Sequence, residues 1–345
     1  MNNKLLYNQK NKKELIEDLE NEDFNRLTIS FYKYSNLKDL ENLRDQLYIE
    51  WKKLNILGRV YLAEEGINAQ ISLPEYSFEK FKSHLNTYKE FNKVQFKKAF
   101  VEGNSFLKLT IKIKNEIVAF NISKKQYDIN KTGVHLDYKD FNKAIDDGAI
   151  VVDMRNYYEG EVGKFENAII PDVVRSKELL PEVKKLLSGN ENEKILMYCT
   201  GGIRCEKASS YLIKAGFKDV NQLNGGIIKY AHDIKKNKAE SKFIGKNFVF
   251  DSRMGEEITD DIISKCHICN VDCNNHTNCN NQACHILFIQ CNQCIKKYNG
   301  CCSTKCADFI KLDIEEQKKL FKSGEVIFNA QRGNSIKPKL SQLKK

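Results

Sequence analysis

The chain has 345 residues, a formal charge of +10, a hydrophobic fraction of 41% and twelve cysteines. Its length predicts two or three domains, and no run approaches the ~18–20 uninterrupted apolar residues of a membrane span. The first twenty residues mix Lys, Glu and Asn with short apolar pairs and hold no signal-peptide core. A cytoplasmic protein is therefore expected, with its cysteines reduced and used for metal binding or catalysis rather than disulfides.

Residues 1–25 predict a helical extension, followed by an α+β domain over 26–125. Arg26–Tyr34 is β-branched and aromatic and reads as a strand. Leu37, Leu40, Leu43, Leu47, Trp51 and Leu54 recur at helical spacing. Ile56–Ala63 and Ile67–Leu73 are predicted strands joined by the short link Glu64-Glu65-Gly66. A second helix over Phe78–Tyr88 and strands over Lys93–Val101 and Phe106–Lys114 complete a β-α-β-β-α-β order, that of a ferredoxin-like sandwich. In the last strand Leu107, Leu109, Ile111 and Ile113 alternate with Lys108, Thr110, Lys112 and Lys114. Between Lys93 and Lys125 eight lysines stand against two acids, Glu102 and Glu116. Lys108, Lys112 and Lys114 are thus candidate RNA contacts on an open sheet face; a plain solvated face accounts for the same pattern.

Residues 137–240 predict an α/β domain with a parallel sheet. Ala149–Asp153 and Lys194–Tyr198 are continuous apolar runs of the kind buried in parallel sheets. The second ends directly in Cys199-Thr200-Gly201-Gly202-Ile203-Arg204, and a helical pattern from Cys205 to Ala215 follows, closed by Gly216. Strand, glycine-containing loop and helix start together turn backbone N–H groups towards one point. Such a field, with a guanidinium beside it, lowers a cysteine pKa and makes a nucleophilic thiolate. Cys199 and Arg204 are the candidate catalytic residues, and Thr200, Gly201, Gly202 and Ile203 the active loop. Cys205 serves either packing or as a resolving thiol.

Residues 241–306 predict a metal-binding segment. Cys266, Cys269, Cys273, Cys279, Cys284, Cys291, Cys294, Cys301, Cys302 and Cys306 fall here, with His267, His276 and His285 among them. Cys266–Cys269 and Cys291–Cys294 have the C-x-x-C spacing with which two thiolates grip one tetrahedral ion. Ten thiols and three imidazoles suffice for two four-coordinate zinc sites, and the segment has too few large apolar residues to fold without metal. An iron–sulfur cluster is the competing reading. Residues 307–345 form a basic tail: Arg332, Lys337, Lys339, Lys344 and Lys345 face no acid after Gln331.

Cys199–Arg204, with Val152-Asp-Met-Arg-Asn156, Glu159 and Gly225-Gly226-Ile-Ile, resembles a rhodanese domain, which implies a cysteine that carries sulfane sulfur as a persulfide. Gly163-Lys-Phe stands where many rhodaneses have Gly-His-Ile. Longer runs (Ser30–Tyr34, Gly58–Ala63, Glu65–Ile71, Met197–Ala208, Phe243–Asp251 with Arg253-Met-Gly255, and His276–Cys279) resemble the bacterial oxygen-dependent tRNA uridine hydroxylases. That resemblance implies a multi-domain α/β enzyme that converts the wobble uridine of a tRNA anticodon loop to 5-hydroxyuridine, with molecular oxygen as co-substrate and an unidentified electron donor. Its active cysteine matches Cys199. The residues themselves leave open a persulfide, a sulfenic acid or direct thiolate addition to uracil C6. A rhodanese-type sulfurtransferase and a non-catalytic zinc- and RNA-binding module are the alternative functions. The stretch Phe243–Glu257, dense in aromatic and basic residues, is expected over the active loop.

Overall fold

The computed structural model describes residues 6–324 and Phe328. The basic stretch from Gln331 to Lys345 lies outside the described residues. Two compact units emerge, and they cut across the boundaries expected from sequence. One holds the described residues of Met1–Asn156, Asn167–Lys242 and Val249–Glu256; the other holds those of Tyr157–Glu166, Phe243–Phe248 and Glu257–Lys345.

The first unit opens with α1 (Lys12–Glu20), whose N-terminus is closed by a reciprocal Asn11–Glu14 cap. There follow β1 (Arg26–Tyr34), α2 (Leu40–Lys53), β2 (Leu57–Ala63), β3 (Gly66–Pro74), α3 (Phe78–Leu85), β4 (Lys97–Lys98) and β5 (Leu109–Ile113). Their sheet has the order β4-β1-β3-β2-β5. β3 runs antiparallel to both β1 and β2, and β5 adds to β2 in parallel. The period of two sorts the side chains. Leu27, Ile29, Phe31, Val60, Leu62, Ile67 and Ile71 pack beneath the sheet with Leu47, Trp51 and Phe81 of the helices. Ser30, Tyr32, Arg59, Tyr61, Asn68 and Gln70 occupy the opposite face.

Two expectations change here. The strand expected over Lys93–Val101 shrinks to Lys97–Lys98, because Lys93 takes a left-handed backbone (φ 59°) that cannot continue an extended strand. The polar sheet face expected to be open is instead turned towards the second half of the same unit.

That half begins with β6 (Val134–Leu136), α4 (Tyr138–Asp146) and β7 (Ile150–Asp153); α5 (Tyr157–Gly160) and β8 (Gly163–Phe165), next along the chain, belong to the other unit. The half then continues with α6 (Ser176–Leu186), β9 (Lys194–Tyr198), α7 (Ile203–Lys214), β10 (Asp219–Leu223) and α8 (Gly226–Asn237). The sheet order is β6-β10-β9-β7, all parallel. Val152, Ile195 and Met197 pack against Leu179, Leu180, Ala208 and Leu212. Asp153 and Arg155 form a fully buried pair at 2.7 Å, and Tyr198 donates to the same carboxylate at 2.9 Å.

In the other unit, β8 pairs antiparallel with β11 (Phe243–Asn247). After β12 (Glu256–Glu257), a hairpin of β13 (His276–Asn278) and β14 (Leu287–Ile289) precedes α9 (Asn292–Lys297), α10 (Thr304–Phe309) and α11 (Ile314–Ser323). Its core is small, built from Ile286, Phe288, Phe309 and Phe328 together with Cys279, Cys284, Cys301, Cys302 and Cys306. No helix among the described residues is long and apolar enough to cross a membrane.

Candidate active site

Cys199 ends β9, and α7 begins four residues later at Ile203. The turn between them needs Gly202 in a left-handed conformation (φ 94°), and its amide donates to Cys199 Sγ at 3.1 Å. The start of α8 clamps the loop from outside: Ile227 N donates to Cys199 O at 3.0 Å and Ile228 N to Thr200 O at 3.1 Å. Only glycine fits at 226, since a Cβ there would stand 2.5 Å from Cys199 O. Cys199 is fully buried from bulk water, and burial alone would raise its pKa. A hydrogen bond from Cys205, the Arg204 charge and the amides of Arg204 and Cys205 outweigh that and lower it from 9.0 to about 6. Burial first, and then the neighbouring Cys199 thiolate, push the Cys205 thiol up, so Cys205 stays protonated and donates. Arg204 is further steadied by Thr200 Oγ1, 3.4 Å from Nη2.

The sulfur is buried but not sealed. Cys199, Thr200, Gly201, Ile203 and Arg204 line a cavity of about 320 Å³, a size suited to a small ligand. Its opposite wall is the polar sheet face, contributing Tyr32, Arg59, Tyr61, Asn68, Gln70 and Lys97. Of the stretch expected over the loop, Val249, Phe250, Asp251, Arg253 and Glu256 line the cavity. Arg253 is held there by Asp251 at 2.8 Å and Glu256 at 2.7 Å.

Hydrogen bonds lock the two walls together. Glu206, one turn into α7, accepts from Tyr32 Oη at 2.9 Å and Gln222 Nε2 at 3.1 Å, and pairs with His135 Nε2 at 3.0 Å. Burial works against its charge, but His135, Tyr32 and Gln222 hold the carboxyl below its usual range. The bond to Glu206 raises the pKa of His135 in turn. On the other side of α7, fully buried Lys207 meets Glu65 at 2.8 Å and Glu116 at 2.9 Å. Glu65 also accepts from Ile117 N at 2.8 Å and Tyr127 Oη at 3.1 Å.

Among the described residues, two cations of the cavity wall, Lys97 and Arg59, have no carboxylate within ion-pair distance. Lys97 Nζ lies 4.4 Å from the Tyr32 ring centroid. Burial brings its pKa from 10.5 down to about 8, against the pull of Cys199 and Glu206. Arg59 makes one long bond, 3.5 Å to Phe250 O. Half-buried cations facing a void favour an anionic or carbonyl-rich ligand.

The Cys-rich segment resolves into two quartets. Cys266, Cys269, Cys291 and Cys294 form one, Cys279, Cys284, Cys302 and Cys306 the other, with all sulfurs of a quartet within 4.8 Å of one another. Two thiolates ~2.3 Å from one tetrahedral ion lie about 3.8 Å apart. The observed separations are 3.6 Å for Cys269–Cys291 and 3.7 Å for both Cys284–Cys302 and Cys302–Cys306. The quartets therefore fit one four-coordinate ion each, and are too tight to surround a multi-iron core.

Cys273 and Cys301, expected among the ligands, fall outside both quartets. Cys273 Sγ instead accepts from Asn275 N at 3.4 Å, and Cys301 is a fully buried core residue. The histidines are also outside. His267 bonds Glu161 at 3.1 Å and the Ile289 amide at 3.3 Å, and His276 stacks edge-on to Phe248 at 5.0 Å.

The structure thus brings Cys199, Thr200, Gly201, Ile203 and Arg204 to one cavity, while Gly202 shapes the loop without lining it. Lys108, Lys112 and Lys114 are exposed, and none lines it. Sequence reasoning missed Tyr32, Arg59, Asn68, Gln70, Lys97 and Glu206. Alternation in Arg59–Tyr61 and Asn68–Gln70 marked a polar sheet face, but nothing local showed what that face would meet.

Comparison with known proteins agrees with this layout. Residues 26–117 match the UPF0176 acylphosphatase like domain, 137–233 the rhodanese-like domain and 244–307 the rhodanase C-terminal family. A tRNA uridine(34) hydroxylase of Leptospira interrogans is 49% identical over 98% of this chain and 93% of its own. Proteins of the same name from Pectobacterium carotovorum and Yersinia pestis are 44% and 45% identical, each over 95% of this chain and 94% of their own.

Proposed function

The chain belongs to the tRNA uridine(34) hydroxylase family, and from that premise we propose that it hydroxylates C5 of the wobble uridine in a tRNA anticodon loop with Cys199 as the reacting sulfur. The observation that carries this reading is a low-pKa thiolate at the floor of a nucleoside-sized cavity whose far wall is polar and cationic. A base can enter such a cavity only when unstacked, which an anticodon loop permits. Arg204 and the loop amides hold negative charge on Sγ. That charge serves a persulfide on Cys199 or direct addition of the thiolate to uracil C6, since both begin from the ionised sulfur. Lys97 faces the charge that develops on the ring.

Molecular oxygen is the proposed co-substrate. One oxygen atom enters at C5 and the other leaves as water, which takes two electrons and two protons from a reductant. Each quartet is proposed to hold zinc, a structural ion that supplies folding energy rather than redox chemistry. Lys108, Lys112 and Lys114 are proposed to contact phosphates outside the cavity. This work would be done in the cytoplasm.

Mass spectrometry of tRNA nucleosides from cells with and without the gene tests the reading. Loss of one oxygen atom, about 16 mass units, from the wobble nucleoside is expected in its absence, with return on expression of the wild type and not of Cys199→Ala. Unchanged tRNA together with rapid thiosulfate-dependent conversion of cyanide would establish a sulfurtransferase instead.

A further inference from the structure

The polar sheet face holds an amide whose orientation is dictated. Ile117 O is a backbone carbonyl and can only accept, so Asn68 must turn its Nδ2 towards it, at 3.1 Å. Asn68 Oδ1 then faces Gln70 and obliges Gln70 to present Nε2, at 2.9 Å. That bond fixes the amide's orientation, so Oε1 is the acceptor Gln70 has left, beside its second Nε2–H. Directly across the ladder from Gln70 is Arg59, on the same face and lining the same cavity. Arg59 has donors only, and its single long bond to Phe250 O leaves most of its fork unused.

We propose that Gln70 Oε1 and Arg59 read the edge of the target base, Gln70 accepting from uracil N3–H and Arg59 donating to the O4 keto oxygen. This rests on the tRNA reading above and deepens it by assigning base selectivity to two residues. Uracil presents acceptor, donor, acceptor along that edge. Cytosine presents donor, acceptor, acceptor, so its N3 lone pair would oppose Gln70 Oε1 and its amino group would oppose the guanidinium. A site built to accept an N–H penalises an analogue lacking it, because the buried acceptor is left unpaired. Anchoring through Asn68 to a backbone carbonyl prevents Gln70 from flipping its amide to suit cytosine.

The test uses the full chain and tRNA transcripts that differ only at position 34, with affinity read by fluorescence anisotropy. Wild type is expected to prefer U34 over C34 by about 10- to 100-fold. Gln70→Ala should lower the ratio about threefold or more by weakening U34 and relieving C34, Arg59→Ala should remove the remaining preference, and Asn68→Ala should lower it part way. Independently of any variant, 3-methyluridine at position 34 should bind wild type no better than C34. A wild type indifferent to the base, a Gln70→Ala ratio that stays high, or full tolerance of 3-methyluridine would overturn the assignment. Failure of the functional reading shows separately, as unmodified U34 in cells expressing wild type.

Discussion

The molecule uses cysteine in two opposite ways. At Cys199 one sulfur is surrounded by peptide N–H groups, a protonated Cys205 and the Arg204 charge, so its negative charge is stabilised by fixed dipoles and kept available to a ligand. In the quartets eight sulfurs are drawn within 4.8 Å of their neighbours, an arrangement that like charges would oppose without a cation at the centre. Surroundings rather than residue type therefore decide which thiolate reacts and which builds structure.

The largest effect should come from the single sulfur. Cys199→Ala should cut wobble-uridine modification by roughly 10⁴-fold or more while leaving far-UV circular dichroism unchanged; retained activity would remove Cys199 from the chemistry. Next, if each quartet holds zinc as proposed, Cys284→Ala should lose one zinc by elemental analysis and melt the small second core, since a structural ion would contribute on the order of 10 kcal/mol to its folding. An unaltered metal content would break the contrast between the two regions. Lys207→Met should cost about 3–5 kcal/mol in denaturant unfolding, because Glu65 and Glu116 lose the cation between them.

A pH series sharpens the Cys199 side. Its pKa is depressed, so the thiolate is present above about pH 6 and is lost as pH falls through that value. Alkylation of Cys199 should rise with pH to a plateau with a midpoint near 6, and Arg204→Gln should move the midpoint upward. A wild-type midpoint at the ordinary thiol value would refute the electrostatic account. The smallest effect is expected at the surface. Replacing Lys108, Lys112 and Lys114 by Gln should flatten the salt dependence of tRNA binding, by a slope of about 1 for each lysine that meets a phosphate.

Much of this was legible along the chain. β1 and β9 begin and end where the sequence places them, because a β-branched, aromatic stretch and a continuous apolar run both report burial directly. The Cys199–Arg204 loop was legible for a different reason: its chemistry needs contiguous residues, a strand end, glycines and a helix start. The partition of the cysteines was not legible. The C-x-x-C pairs mark the four sulfurs of one quartet, but no local spacing separates Cys273 and Cys301 from Cys279, Cys284, Cys302 and Cys306 of the other.

The same division explains the site as a whole. Sequence alone determined the candidate sulfur, its loop, the C-x-x-C pairs of the Cys-rich segment and the alternating polar face of the first sheet, since each is encoded within a short stretch. Only the tertiary structure decided that this polar face would meet the loop. Lys207 reaches Glu65 across 142 positions of sequence and Tyr32 reaches Glu206 across 174. Pairings so distant arise from the packing of whole elements, and no local period or spacing records them.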